Sequence, residues 1–319
     1  MSVTASTTPP VIAGFSVPRV MFQVLVALVP VAAVQVYLHG PGLLRLLALA
    51  AVTALSCEAL ALRLRRRAAQ PFLRDGSVLV TAALLALAVP PTLPWWLIVF
   101  ATAVAVLIGK HAYGGLGQNP FNPAMVGYAV LLVSFPLEMT LWPAPQSGWD
   151  AVTGATALDA LRTGLRQGYT MQEIFAAPAF GAVGASGSEW VNLAALGGGA
   201  WLLLRRIIRW QIPVAMLAGL AVPAGIAHGL DPGAHAGALF HLASGATMLG
   251  AFFIATDPVS AATSDRGRLV YGAGIGLLTW IIRSWGSFPD GVAFAVLILN
   301  LAVPLIDRWT VPRIHGHPR

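Results

Sequence analysis

Ten apolar segments separated by short polar loops constrain the fold of this chain more than any other feature of its sequence. Of its residues, 57% are hydrophobic and only 10% are charged, whereas a soluble domain carries about 25% charged residues. The sequence therefore predicts an all-α integral membrane protein in which each apolar segment is a transmembrane helix. The segments lie at residues 20–38, 43–62, 77–90, 95–110, 124–136, 190–204, 211–228, 240–257, 269–285 and 291–306.

Positively charged residues cluster in alternate loops and indicate how the chain is oriented. The formal net charge is +7, but its distribution favours a role in membrane topology over nucleic-acid binding. Loops on the cytoplasmic side carry an excess of Lys and Arg, and every cluster here follows an even-numbered segment. We expect both termini in the cytoplasm and the 137–189 loop on the outer face of the membrane. The clusters are Arg63, Arg65, Arg66, Arg67 and Arg74; Lys110 with His111; Arg205, Arg206 and Arg209; Arg266 and Arg268; and Arg308, Arg313 and Arg319.

The second half of the chain resembles the first, which predicts two repeats of five helices. Residues 76–91 resemble 244–258, and residues 123–132 resemble 289–298, with a nearly constant offset. An odd number of crossings per repeat makes the two copies face opposite ways, so the repeat is inverted. The short third and eighth segments occupy matching places and are expected to be broken helices, as in channels and transporters. The general similarity of Ala/Val/Leu-rich helices is the alternative explanation.

The long loop divides the chain into three parts. Residues 1–136 form the expected first repeat, residues 137–189 the outer loop, and residues 190–319 the second repeat with a cytoplasmic tail. We expect the outer loop to be partly helical and to lie against the membrane. Its most informative part is a polar heptapeptide at residues 150–156.

This heptapeptide predicts a site of covalent flavin attachment. It reads Asp150-Ala151-Val152-Thr153-Gly154-Ala155-Thr156 and matches D-x-x-[ST]-G-A-[ST], the pattern on which flavin transferases place FMN as a phosphoester. The chemistry needs the exposed hydroxyl of Thr156, with small neighbours such as Gly154 and Ala155 that let the backbone enter another enzyme's cleft. A helix start, with Asp150 or Thr153 as the N-cap of the run that follows, is the alternative. The two interpretations are compatible.

A second stretch, Ser244-Gly245-Ala246-Thr247, shares the last four letters of this pattern. His241 stands where the pattern has Asp, and the stretch leads directly into an apolar segment within the membrane. A transferase would reach it with difficulty. We therefore expect modification at Thr156 and expect Thr247 to lie at the start of a half-helix.

The inner loop at residues 114–123 is the other candidate site. Its two Asn-Pro pairs, at Asn119 and Asn122, follow a glycine run and cannot form a regular helix. Their amides could pair with the donor and acceptor edge of an isoalloxazine ring, or Asn122 could simply cap the next helix. The glycine run is not a dinucleotide fingerprint, because no strand precedes it and its spacing differs.

The remaining polar residues limit the chemistry that the chain can perform. Glu58 lies within an apolar segment, one helical turn from an arginine cluster, and we expect an ion pair there at the membrane interface. Asp257 and Asp290 lie at segment ends, where they cap helices or contact an ion path. The single cysteine, Cys57, excludes a self-contained Fe–S cluster, a zinc–thiolate site and an internal disulfide. No Ser-His-Asp, HExxH or P-loop pattern is present, which argues against hydrolysis.

Together these motifs resemble a known family over nearly the whole chain. The stretches 113–134, 244–258 and 271–304, with the outer-loop heptapeptide, are similar to the D subunit of the Rnf electron-transport complex, itself related to the B subunit of the sodium-pumping NADH:quinone reductase. The resemblance implies an integral membrane subunit of a ferredoxin:NAD⁺ oxidoreductase coupled to Na⁺ or H⁺ movement. It also implies a bacterial inner membrane with the 137–189 loop in the periplasm, and FMN joined covalently to Thr156 on that outer side. Two departures are the compact outer loop and Ala at position 151, where Gly is frequent.

The resemblance extends to further cofactors and partners. In the related reductase subunit a non-covalent riboflavin is held partly by asparagines spaced like Asn119 and Asn122, which implies a second flavin toward the inner face. The expected partners are Rnf-type membrane subunits, subunits with Fe–S or flavin groups, and a flavin transferase. A secondary transporter or channel without cofactor is the main alternative, because the inverted repeat is typical of transporters. A purely structural scaffold subunit is a third possibility.

Overall fold

The computed structural model describes residues 16–143, 153–154, 156–288 and 290–310, with the backbone alone at 153–154. Most of these residues are helical, which confirms the all-α expectation. The longer helices are α1 (Val17–His39), α2 (Gly42–Leu64), α4 (Ser77–Ala88), α5 (Trp95–Val104, continued as a π-helix over Ala105–His111), α6 (Pro123–Ser134), α8 (Ala157–Arg166), α10 (Ser188–Leu204), α11 (Gln211–Leu230), α14 (Asp265–Trp285) and α15 (Val292–Thr310). The shorter ones are α3 (Ala69–Leu73), α7 (Pro136–Thr140), α9 (Met171–Phe175), α12 (Ala238–Ala243) and α13 (Thr247–Leu249, continued as a π-helix over Gly250–Ile254).

The helices identify the chain as a multi-pass membrane protein. Four of the described helices, α1, α2, α11 and α15, are long and apolar enough to cross a bilayer by length and composition. Large apolar side chains on them point outward, as Phe22, Val29 and Leu301 do with exposures above 60%, which suits contact with lipid. Every apolar segment of the sequence contains a described helix. The topology of ten spans and the inverted repeat stay predictions.

Helices α4 and α13 stop short of a full crossing, as expected for the third and eighth segments. The 12 residues of α4 span about 18 Å, whereas the hydrocarbon core is about 30 Å thick. Helix α4 ends at Ala88, before the pair Pro90-Pro91, because the proline rings prevent the helix from continuing. Helix α13 ends with its π-helical turn at Ile254, shortly before Pro258. Both breaks leave backbone groups to be satisfied inside the protein.

Glycines allow the long helices to pack closely. A Cβ at Gly276 of α14 would lie 2.1 Å from the backbone oxygen of Met216 on α11, and one at Gly198 of α10 would lie 2.2 Å from that of Ala27 on α1. These backbones therefore touch, as they do at small-residue interfaces in other membrane proteins. The buried core between the helices includes Val31, Leu43, Leu85 and other fully buried apolar side chains, among them Leu46, Leu131, Ile275 and Val296.

The segment between α6 and α10 is partly helical, as predicted, and packs onto the second half of the chain. Its two short strands, Trp142–Pro143 and Thr153–Gly154, pair antiparallel. Leu158, Leu161 and Ile174 of this segment form a small apolar cluster with Phe240 of α12. Arg162 fixes the segment further by donating to the backbone oxygens of Gly286 and Phe288, each at 2.9 Å, and by pairing with Asp159.

A capping box stabilises α9 of this segment. The hydroxyl of Thr170 accepts from the backbone N–H of Glu173, while the Glu173 carboxylate accepts from the backbone N–H and the hydroxyl of Thr170, both at 2.8 Å. These hydrogen bonds lower the pKa of Glu173. The cap is therefore complete at neutral pH, and it weakens as the pH falls through this lowered pKa.

Candidate functional site

Thr156 is the N-cap residue of α8. Its backbone is extended, with φ −62° and ψ 154°, and its Oγ1 accepts a hydrogen bond of 3.3 Å from the backbone N–H of Asp159. The expectation that Asp150 or Thr153 caps this helix was wrong, because α8 begins at Ala157 and only a side chain one position earlier reaches its first free N–H groups. Asp150 and Ala155 lie outside the described residues, and the backbone of Thr153–Gly154 forms a strand.

A cavity of about 410 Å³ opens beside Thr156. We call it the large cavity. Residues from both halves of the chain and from the segment between them line the cavity. A ligand there would therefore contact all three parts of the chain. The polar and aromatic wall residues of the cavity include Gln35, His39, Tyr128, Trp142, Thr156, Asn192 and Asp290.

Asn192 of α10 fixes the broken helix at one wall of the large cavity. Its Nδ2 donates to the backbone oxygens of Ala243 and Gly245, each at 3.0 Å, and its Oδ1 accepts from the N–H of Met248 at 2.9 Å. One amide side chain thus satisfies backbone groups on both sides of the gap between α12 and α13. Asn192 was not expected from the sequence, where the available signal was a lone Asn within an apolar segment.

Thr247, the other hydroxyl of the pattern, is completely buried. Its Oγ1 donates toward the backbone oxygens of His241 and Ser244, at 2.8 and 2.9 Å, and accepts from the Arg283 guanidinium at 3.0 Å. Arg283 also forms an ion pair of 3.0 Å with Asp290. The Thr247 hydroxyl is therefore fully engaged, and it lies at the start of α13, where a half-helix start was expected. Asp290 in turn accepts from the N–H of Ala246.

A buried charge cluster lies in the first half of the chain. The Lys110 ammonium donates to both oxygens of Glu58, at 2.9 and 3.0 Å, and to the Ser77 hydroxyl at 3.0 Å. His111 Nε2 lies 2.8 Å from the same carboxylate. The expected ion pair of Glu58 is present, but its expected arginine partners were wrong. The π-helical end of α5 brings Lys110 and His111 to Glu58, and Arg65 instead donates to the His111 backbone oxygen.

Asn119 and Asn122 lie in a separate, small cavity of about 100 Å³. The Asn122 amide caps α6 by accepting from Met125 N–H at 3.3 Å, and it donates to Ile254 O at 3.2 Å. Asn119 donates to Phe121 O, and its Oδ1 is buried without a hydrogen-bond partner among the described residues. The helix-capping alternative is therefore confirmed for Asn122, and Asn119 keeps one free acceptor.

Fold and sites together define a helical membrane protein in which the segment between α6 and α10 brings one hydroxyl to a cavity large enough for a cofactor. The chain belongs to the NQR2, RnfD, RnfE family, whose model matches residues 4–316. This confirms the family resemblance drawn from its motifs.

Individual relatives match almost from end to end. A protein of Pseudomonas aeruginosa is 54% identical over 99% of this chain and 97% of its own length. A protein of Vibrio cholerae is 50% identical over 95% of this chain and 96% of its own length. A protein of Escherichia coli is 47% identical over 94% of both chains. Each of the three is named as the D subunit of an ion-translocating oxidoreductase complex.

Proposed function

We propose that this chain is the D-type membrane subunit of an ion-translocating oxidoreductase complex of the Rnf type, and that it carries FMN as a phosphoester of Thr156. The family and the names of its full-length relatives support the first part. The position of the Thr156 hydroxyl at the wall of the large cavity carries the second part.

The large cavity fits a flavin. Small-molecule sites typically enclose about 300–1,000 Å³, and the cavity of about 410 Å³ falls in this range. Tyr128 and Trp142 supply aromatic wall. Two buried polar atoms at its wall, Gln35 Oε1 and His39 Nδ1, have no hydrogen-bond partner among the described residues. Such atoms are costly unless a ligand or water satisfies them.

The N-cap position of Thr156 suits a phosphoester. The first turn of α8 has backbone N–H groups without helical partners, and the helix dipole places partial positive charge there. A phosphate on Oγ1 would lie beside these groups, at the kind of helix terminus that binds phosphate in many proteins. The competing hydroxyl of Thr247 is buried and triply engaged, which argues against modification there.

In the proposed complex the cofactor supplies the electron transfer, and this chain holds and shields the cofactor. When bound, FMN supplies electron transfer in steps of one or two electrons. Thr156 tethers it, the cavity walls hold it away from water, and partner subunits with Fe–S or flavin groups exchange electrons with it. Moving one charge across the membrane is worth about 2.3 kcal/mol per 100 mV, so electron flow across the membrane can drive compensating Na⁺ or H⁺ movement.

A second flavin at Asn119 and Asn122 does not fit the small cavity as it stands. About 100 Å³ is below the size of typical cofactor sites, and the Asn122 amide is engaged within the protein. Binding there requires the surrounding side chains to move. The second flavin therefore stays a prediction.

A pair of matching contacts supports the inverted repeat. The buried Lys110 at the end of α5 donates to the Ser77 hydroxyl at the start of broken helix α4. The buried Arg283 at the end of α14 donates in the same way to Thr247 at the start of broken helix α13, and both distances are 3.0 Å. Equivalent cations therefore hold equivalent hydroxyls in the two halves.

The proposed topology places α8 in the periplasm and the loop after α10 in the cytoplasm. In a Cys57→Ser background, Thr163→Cys on the exposed face of α8 is expected to react with a membrane-impermeant maleimide in intact cells. Arg206→Cys, also exposed, is expected to react only after the membrane is opened. The reverse labelling pattern would place the proposed flavin site in the cytoplasm and refute this orientation.

The main alternative, a transporter without cofactor, is favoured by the broken helices α4 and α13. Ultraviolet fluorescence of the denatured chain in a gel separates the two. We expect a fluorescent band from chain co-expressed with a flavin transferase, and no solute uptake by the purified chain in liposomes. A dark band together with uptake would support the transporter instead.

A further inference from the structure

The large cavity has an acceptor face on α1. Gln35 and His39 are one helical turn apart and therefore project from the same side of the helix. Both line the cavity that Thr156 reaches. Gln35 Oε1 and His39 Nδ1 are both buried and lack a hydrogen-bond partner among the described residues.

Each side chain presents one free polar atom to the cavity. Gln35 Nε2 donates to Leu87 O at 3.0 Å, so the amide nitrogen is the engaged end and the oxygen is the free acceptor. A neutral His39 imidazole has one donor and one acceptor nitrogen. With its proton on Nε2, the ring presents the buried Nδ1 as the second acceptor. The edge contact of His39 with Trp142, at 6.0 Å between centroids, holds the ring in place.

Two buried acceptors that receive no hydrogen bond from the described residues favour a ligand with N–H or O–H donors. An oxidised isoalloxazine ring carries a single N–H, at N3, and its other edge atoms accept. Two-electron reduction with uptake of two protons adds N–H groups at N1 and N5. An acceptor face therefore binds the reduced ring better than the oxidised ring, and hydrogen bonds to ring nitrogens are one way in which proteins tune flavins.

We propose that Gln35 and His39 bind the N–H edge of the flavin tethered at Thr156 and favour its reduced form. This inference rests on the proposed function. It assigns the two residues a positioning and tuning role, distinct from the covalent attachment itself.

The test uses the assembled complex with Gln35→Met or His39→Phe. Gln35→Met removes the acceptor and keeps the side-chain length, while His39→Phe keeps the aromatic contact with Trp142. Gln211→Met is the matched control, because Gln211 is also buried, and its Oε1 has no partner in the part of the chain that the structure describes. It begins α11, outside the wall of this cavity. Covalent flavin is measured in a denaturing gel, and the reduced-to-oxidised ratio of the subunit's flavin by absorption at a fixed potential.

We expect full covalent flavin in all variants. In Gln35→Met and in His39→Phe the reduced-to-oxidised ratio falls up to about tenfold, which is about 30 mV for a two-electron couple, and Gln211→Met matches the wild type. An unchanged ratio in a flavinylated His39→Phe complex overturns the inference, even if Gln35→Met fails to assemble. An altered flavin emission at an unchanged ratio also overturns it, because the two side chains would then affect the ring without favouring its reduced form. Absence of covalent flavin from the wild-type chain refutes the proposed function instead.

Discussion

Thr156→Ala is expected to abolish covalent flavin while leaving a chain that still inserts into the membrane. The substitution removes the only atom at this position that can form the phosphoester. It also removes the N-cap of α8, which costs about 1 kcal/mol and is too little to unfold a protein of ordinary stability. Fluorescence of the denatured chain in a gel, compared at equal amounts of protein, measures the loss.

Two variants separate the hydroxyl chemistry from the capping role. Thr156→Asn keeps a good N-cap but has no hydroxyl, so it too is expected to be dark. Thr247→Ala removes the buried hydroxyl held by Arg283 and is expected to stay fluorescent. A fluorescent Thr156→Asn chain, or a dark Thr247→Ala chain present at the wild-type level, would contradict the assignment.

Lys110→Met is expected to destabilise the folded chain by about 3–5 kcal/mol, because it leaves the Glu58 carboxylate buried with only His111 as a partner. Both groups of the present pair are almost completely buried, with side-chain exposures of 3% and 1%. The loss is a large fraction of the stability of an ordinary protein. The thermal unfolding midpoint of detergent-solubilised protein measures it.

The exposed pair Arg209–Asp265 provides the matched control. Its side chains are 65% and 62% exposed and 3.5 Å apart, so Arg209→Met is expected to change the stability by less than about 1 kcal/mol. Adding Glu58→Gln to Lys110→Met is expected to recover much of the loss, because no unpaired buried charge remains. Equal unfolding midpoints for Lys110→Met and Arg209→Met would show that the buried cluster is not structurally important.

The sequence predicted those parts of the fold that depend on local pattern. Apolar runs located the helices, and prolines such as Pro90 and Pro258 located the breaks, because their effect on the backbone does not depend on tertiary context. The heptapeptide likewise drew attention to Thr156 by its spacing alone. Its position as the N-cap was missed, since the start of α8 depends on how the segment packs against α12 and α14.

Long-range partners could not be predicted from the sequence. Glu58 was expected to pair with arginines nearby in the chain, yet its partner Lys110 lies 52 residues away and reaches it through a π-helical turn. Asn192 satisfies a helix break more than 50 residues later, and no local pattern marks that contact. The spacing of Asn119 and Asn122 suggested two free amides, whereas α6 and Ile254 engage one of them.

Peptide mass mapping of the mature, assembled complex tests the central claim most directly. The peptide that contains Thr156 is expected to carry the added mass of FMN less one water, with fragmentation that places the group on residue 156 and the Thr247 peptide unmodified. Detection of only the unmodified Thr156 peptide in such material would contradict the account.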